Sequence, residues 1–187
     1  MLRAITLDGL RSFADTERIE LGSLTVLAGA NSVGKSTVIH ALMALVQSDQ
    51  QASGNALVLA GEWVDLGDFR QALNYQRSGA DRRFRLGLSA TIDGVESDAL
   101  WTFGESGTDA SAVATIESLD FAMGERGFRA SIPDAGASYV VEEVDPSVED
   151  GEFSEAGRFH SPVEIDVVET DSVRLLPYTV DQVHYLG

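Results

Sequence analysis

Apolar and polar positions alternate in two short runs at the start of the chain. Leu2, Ala4, Ile5 and Leu7 mark one strand, Gly9-Leu10-Arg11-Ser12-Phe13 a turn, and Arg18-Ile19-Glu20-Leu21 a second strand ending at Gly22. Leu24-Thr25-Val26-Leu27-Ala28 breaks the alternation; a continuous apolar, β-branched run of this length predicts a buried strand. The period then changes. Between Ser36 and Gln47, Val38, Ile39, Ala41, Leu42, Leu45 and Val46 recur at three- and four-residue spacing without Pro or Gly, which predicts a helix. Further on, Gly, Asp, Ser and Pro divide the chain into short strands at 56–59, 84–92, 97–103, 112–121, 128–132, 139–144, 163–168 and 175–178, with one helix over 67–77. Regular spacing of this kind predicts an antiparallel meander beside the opening unit of residues 1–48, and no internal repeat is visible. Residues 145–155 hold three Glu and two Asp with only Val148 and Phe153 apolar, the composition of an exposed loop.

At 187 residues the chain has room for a single domain, residues 1–187, with a strand-rich acidic remainder at 49–187. No apolar stretch nears the roughly 18 residues of a spanning helix, and the N-terminus lacks a signal-type apolar region, so a cytoplasmic location is expected. The absence of cysteine excludes disulfide scaffolds, Cys-ligated metal and thiol chemistry. His40, His160 and His184 have no metal-ligand spacing.

Charge is unevenly spread. Residues 1–93 hold 9 basic and 10 acidic side chains, net −1, whereas residues 94–187 hold 4 and 20, net −16. So acidic a half repels a phosphate backbone, which speaks against direct DNA binding by it. A surface adapted to concentrated salt accounts for the same charge. More telling, twelve of the thirteen basic residues are Arg, and the single Lys is Lys35.

Lys35 lies in Gly29-Ala30-Asn31-Ser32-Val33-Gly34-Lys35-Ser36-Thr37, the Gly-x-x-x-x-Gly-Lys-[Ser/Thr] phosphate-loop pattern between an expected strand and an expected helix. Gly29 and Gly34 allow backbone conformations that let successive N–H groups surround phosphate oxygens, and the helix N-terminus adds partial positive charge. Lys35 would reach the β- and γ-phosphates, the Ser36 hydroxyl would take one position on Mg²⁺, and Thr37 would support the loop. The plainer reading, a Gly-rich turn capping a core helix, explains neither the order of elements nor a lone lysine placed here. A GTPase would need a downstream Asn-Lys-x-Asp, which a chain with one lysine cannot supply. A small P-loop kinase needs a basic lid, and the region after the helix is acidic, which makes a kinase the runner-up reading.

Two strands precede the loop, and residues 7–47, with Arg11-Ser12-Phe13 and Asn31 in place, resemble the opening of the ABC-type ATPases of the RecF, SMC and OLD group. The resemblance implies an α/β P-loop NTPase fold, an ABC-type ATPase lobe with a mixed or antiparallel sheet around the P-loop helix. It implies that Arg11 lies near the nucleotide phosphates and that Asn31 and Ser32 line the loop, with Val33 where a small residue is common. It further implies ATP and Mg²⁺ as ligands, a C-terminal lobe and a second head as partners in a head-to-head dimer, and work on DNA in repair, chromosome maintenance or phage defence through the completed machine. Val64-Asp65-Leu66-Gly67-Asp68-Phe69 echoes a segment of the OLD-like branch, with no catalytic role assigned, and reads equally well as a turn into a helix.

The parts for hydrolysis are missing. No Leu-Ser-Gly-Gly signature and no apolar run ending in Asp-Glu is present; Ser138-Tyr139-Val140-Val141-Glu142-Glu143 comes nearest and reads better as an ordinary strand. His184 lies too near Gly187 to serve as the switch histidine, and Val183-His184-Tyr185-Leu186-Gly187 reads as a strand just begun, so a first half of a head is expected. These features predict ATP binding with negligible turnover by the chain alone. The rival expectation is a non-catalytic nucleotide-binding module whose acidic half recruits a partner protein.

Overall fold

A computed structural model of the protein describes residues 1–30, 33–50, 56–92, 94–106, 113–131 and 140–144. Their strands are β1 (Leu2–Asp8), β2 (Glu17–Glu20), β3 (Ala56–Leu57), β4 (Arg83–Ile92), β5 (Val95–Ser106), β6 (Val113–Met123), β7 (Arg126–Ser131) and β8 (Val140–Val144). They form one sheet in the order β2-β1-β4-β5-β6-β7-β8, with β3 paired to β6, and every pairing is antiparallel. Helix α1 (Lys35–Gln50) and the four-residue α2 (Phe69–Ala72) are the two α-helices among the described residues.

The α/β P-loop NTPase fold expected from the resemblance is therefore not what the chain adopts: this is a mostly antiparallel sheet, not a central sheet wrapped by helices. The reason is local connectivity. From β4 to β7 each strand returns beside its predecessor, with Ile92 opposite Val95 and Met123 opposite Arg126, so no helical crossover is needed to join parallel neighbours. The expected buried strand at 24–28 also fails. Its residues lie outside the sheet and outside any regular element, with Leu24 86% and Val26 77% exposed, while Leu27 packs on the core.

Alternation along the strands explains the core. Ile5 and Leu7 of β1, Phe84, Leu86 and Leu88 of β4, Ala99, Trp101 and Phe103 of β5, and Ala114 and Ile116 of β6 form one buried cluster. Val38, Ala41, Ala44 and Leu45 of α1 and Leu57, Leu59, Val64, Leu66, Phe69 and Leu73 complete it. Phe84 stands between Phe69 and Phe103, with ring centroids 5.5 and 5.2 Å away. The other sheet face carries polar pairs such as Arg18 to Ser89 (2.7 Å) and Arg129 to Asp120.

Two expected elements are shorter than their apolar patterns. β3 stops at Leu57 because side chains of α1 take over the next peptide: Val58 N donates to Ser48 Oγ (2.7 Å) and Gln47 Nε2 donates to Val58 O (2.6 Å). The helix expected over 67–77 spans one turn. Asp68 and Gln71 form a reciprocal capping box, but Leu73 is already extended, and Asn74 turns its N–H to Gly9 O (2.7 Å). The strands expected at 163–168 and 175–178, the acidic loop at 145–155 and residues 183–187 lie outside the described residues.

Residues 9–16 cover the end of β1, where Asp8 is buried. Its carboxylate accepts from Arg77 Nη2 (2.5 Å) and Arg85 Nε (2.8 Å); Arg77 also donates to Ala14 O (2.8 Å), and Arg85 to Thr16 Oγ1 (3.3 Å). Burial by itself would lower the Arg77 pKa, but the Asp81 hydrogen bond and the charges of Asp8, Asp81 and Asp15 hold it above its ordinary value, so the guanidinium stays charged. Removing Asp8 takes away the acceptor that the two guanidinium groups share, leaving Arg77 its bonds to Asp81 and Ala14 O and Arg85 its bond to Thr16. Asp8→Ala is expected to lower stability by about 2 kcal/mol, against less than about 1 kcal/mol for Glu20→Ala at the exposed Arg18 pair; urea denaturation of both variants checks this, and equal losses would contradict it.

Candidate functional site

The candidate site is the loop entering α1. Gly29 has φ +151° and Gly34 φ +100°, both in the region that side chains disfavour, so the pattern's two glycines stand where the backbone requires them. Lys35 is the first residue of α1, and its ammonium turns back to donate to Gly29 O (2.8 Å) and Ala30 O. No carboxylate pairs with Lys35 among the described residues, whereas Arg18, Arg70, Arg77, Arg82, Arg83, Arg85 and Arg129 each meet at least one. The first turn of α1 carries no acidic residue to offset the helix's partial positive charge.

Ser36 is exposed and Thr37 buried, an arrangement that leaves the Ser36 hydroxyl open to a ligand while Thr37 anchors the helix start. Helix bonding begins with Val38 N to Gly34 O (3.2 Å), leaving the N–H groups of residues 35–37 outside the intrahelical ladder. These are the donors an anion would use. Ser36 is thus a fit for one ligand position on Mg²⁺, with phosphate oxygens supplying others. Among the described residues no group of three or more His, Asp or Glu side chains could hold a metal ion on its own. Asn31 and Ser32, also expected in the loop, lie outside the described residues.

Arg11, expected near the phosphates, is joined to the segment at 66–72. Its guanidinium donates to Leu66 O (3.1 Å) and its N–H to Ala72 O (2.7 Å), while its backbone takes φ +46°. Its neighbours Ser12 and Phe13 reach the loop. A Cβ built on Gly34 would collide with Ser12 Oγ and stand 2.9 Å from Phe13 Cε2, so the turn at 9–13 lies directly against the second loop glycine. Sequence reasoning noted the segments around Arg11 and Leu66 separately and missed their contact. It also missed Asn74, whose Nδ2 donates to Arg11 O; a lone Asn in a polar stretch carries no signal of that role.

Comparison with models of known families, with curated proteins and with solved structures finds no match for this chain. The site is therefore read from its own geometry.

Gly34→Ala is expected to cost more stability than Gly79→Ala, which also sits at positive φ (+60°) but where a Cβ meets nothing within 4 Å. A cost of about 1 kcal/mol at Gly79 and of roughly 2–3 kcal/mol or more at Gly34 would be read from chemical denaturation. Equal costs would contradict the contact between Gly34 and the Ser12-Phe13 turn.

Proposed function

We propose that residues 29–37 bind the phosphates of a nucleoside triphosphate with Mg²⁺, Lys35 and the α1 N-terminus facing the phosphates and Ser36 the cation. The observation that carries this reading is the unneutralised Lys35 ammonium folded over a loop whose two glycines hold positive φ. Chemistry supports the exchange of partners: an ammonium bonded to neutral carbonyls gains by moving to phosphate oxygens, because charge-assisted hydrogen bonds are about twice as strong as neutral ones. Adenine as the base follows from the resemblance to RecF, SMC and OLD proteins, as does a role on DNA through a completed machine in the cytoplasm. Gly29, Asn31, Ser32, Gly34, Lys35, Ser36, Thr37 and Arg11 form the proposed binding set.

The chain supplies a phosphate cradle without a base or signature to position water, so the proposal is ATP binding, with hydrolysis only after a C-terminal lobe and a dimer partner complete the site. No helix among the described residues is long and apolar enough to cross a membrane.

Calorimetry with Mg-ATP on the wild type and on Lys35→Ala, in low and in molar salt, tests this reading. Binding that disappears in Lys35→Ala is expected, with turnover well below about 1 per second, the lower end of ordinary enzyme rates. Equal affinity in the two proteins, or no binding by the wild type in either salt, would contradict it.

A further inference from the structure

The buried side chain of Asn74 has no place in the nucleotide reading as stated, yet it holds the turn on which the loop rests. Asn74 is 2% exposed. Its backbone N–H donates to Gly9 O (2.7 Å), its Nδ2 to Arg11 O, and its Oδ1 accepts from Gln76 N (2.9 Å). Three bonds from one residue thus bind the carbonyls on either side of Leu10 and close the short segment after α2. Leu10 itself bridges to both Phe13 and Leu73. Arg11, between these anchors, is held at φ +46°, a conformation costing a non-glycine residue roughly 1–2 kcal/mol. The turn keeps it because its backbone partners are supplied by Ala72 and Asn74.

From that geometry we infer that Asn74 is a positioning residue for the phosphate loop. It acts through Arg11, whose conformation sets Ser12 and Phe13 against the Cα of Gly34, one residue before Lys35. A loop of this kind must hold its N–H groups in place before the anion arrives, since ordering them on binding subtracts from affinity. The Asn74 amide supplies that support from behind, without reaching the ligand. Its consequence for affinity rests on the nucleotide reading above; the mechanical link from Asn74 to Gly34 does not.

The test uses the full chain with Asn74→Asp, which keeps an oxygen for Gln76 N–H and loses the donor to Arg11 O, and with Asn74→Ala. Ser12→Ala, which removes the hydroxyl touching Gly34 and leaves Asn74 in place, is the second route should the Asn74 variants not fold. Phe128→Leu on β7 is the control for stability loss elsewhere in the sheet. Amide resonances of Gly34 and Lys35 are recorded without nucleotide, and Mg-ATP affinity is measured at a fixed interval below each unfolding midpoint. Displaced Gly34 and Lys35 resonances and about tenfold weaker binding are expected for the folded variants at Asn74 and Ser12, with both readouts unmoved in the control. Unmoved resonances in those variants, or shifts of equal size in Phe128→Leu, would overturn the inference. Moved resonances in a protein whose wild type binds no Mg-ATP would support the link and refute the nucleotide reading alone.

Discussion

Residues 9–16 leave the sheet at the end of β1 and make no ladder of their own, so their peptide groups must find partners outside it. Those partners come from one stretch of chain some sixty residues later. Ala72, Asn74 and Arg77 bind the turn at Arg11, Gly9 and Ala14, and Leu66 O receives the Arg11 guanidinium. Asp8, buried beneath, joins Arg77 to Arg85 of β4 and so ties the same turn to the sheet. Because Gly34 packs against Ser12 and Phe13 of that turn, the second glycine of the loop rests on a turn held by residues remote from it in sequence. Fold and site share one joint.

Electrostatics then distinguishes the loop from the rest of the molecule. In a chain of net charge −17 the described arginines of the sheet are mostly committed to carboxylates, and exposed pairs of that kind contribute little to stability. They do cancel local positive charge. Lys35 keeps its own, at a helix start without acidic residues, so positive charge remains at the N-terminus of α1 within an acidic protein.

Much of this was legible from residue patterns. Punctuation by Gly, Asp, Ser and Pro placed the strands β4 to β7 to within three residues at each end, the three-four period gave α1, and the spacing of Gly29, Gly34 and Lys35 located the loop. What stayed hidden was non-local. The apolar run at 24–28 reads as a buried strand, but burial needs a neighbouring strand, and among the described residues none pairs with it. The resemblance over residues 7–47 suggested an α/β fold because a short motif carries no information about how later strands connect; hairpins from β4 onward made the sheet antiparallel. Side-chain competition for the backbone was equally invisible. Ser48 and Gln47 ended β3, and Asn74 diverted the segment after α2 towards the turn.

The claim on which the rest turns is that the glycine loop is a phosphate cradle and not a structural turn that happens to hold a lysine. A crystal structure of the full chain grown with Mg²⁺ and a non-hydrolysable ATP analogue addresses it most directly. The account predicts triphosphate density along residues 29–37 and Lys35 Nζ withdrawn from the Gly29 and Ala30 carbonyls onto phosphate oxygen. Nucleotide bound elsewhere, with Lys35 still on those carbonyls, would contradict it.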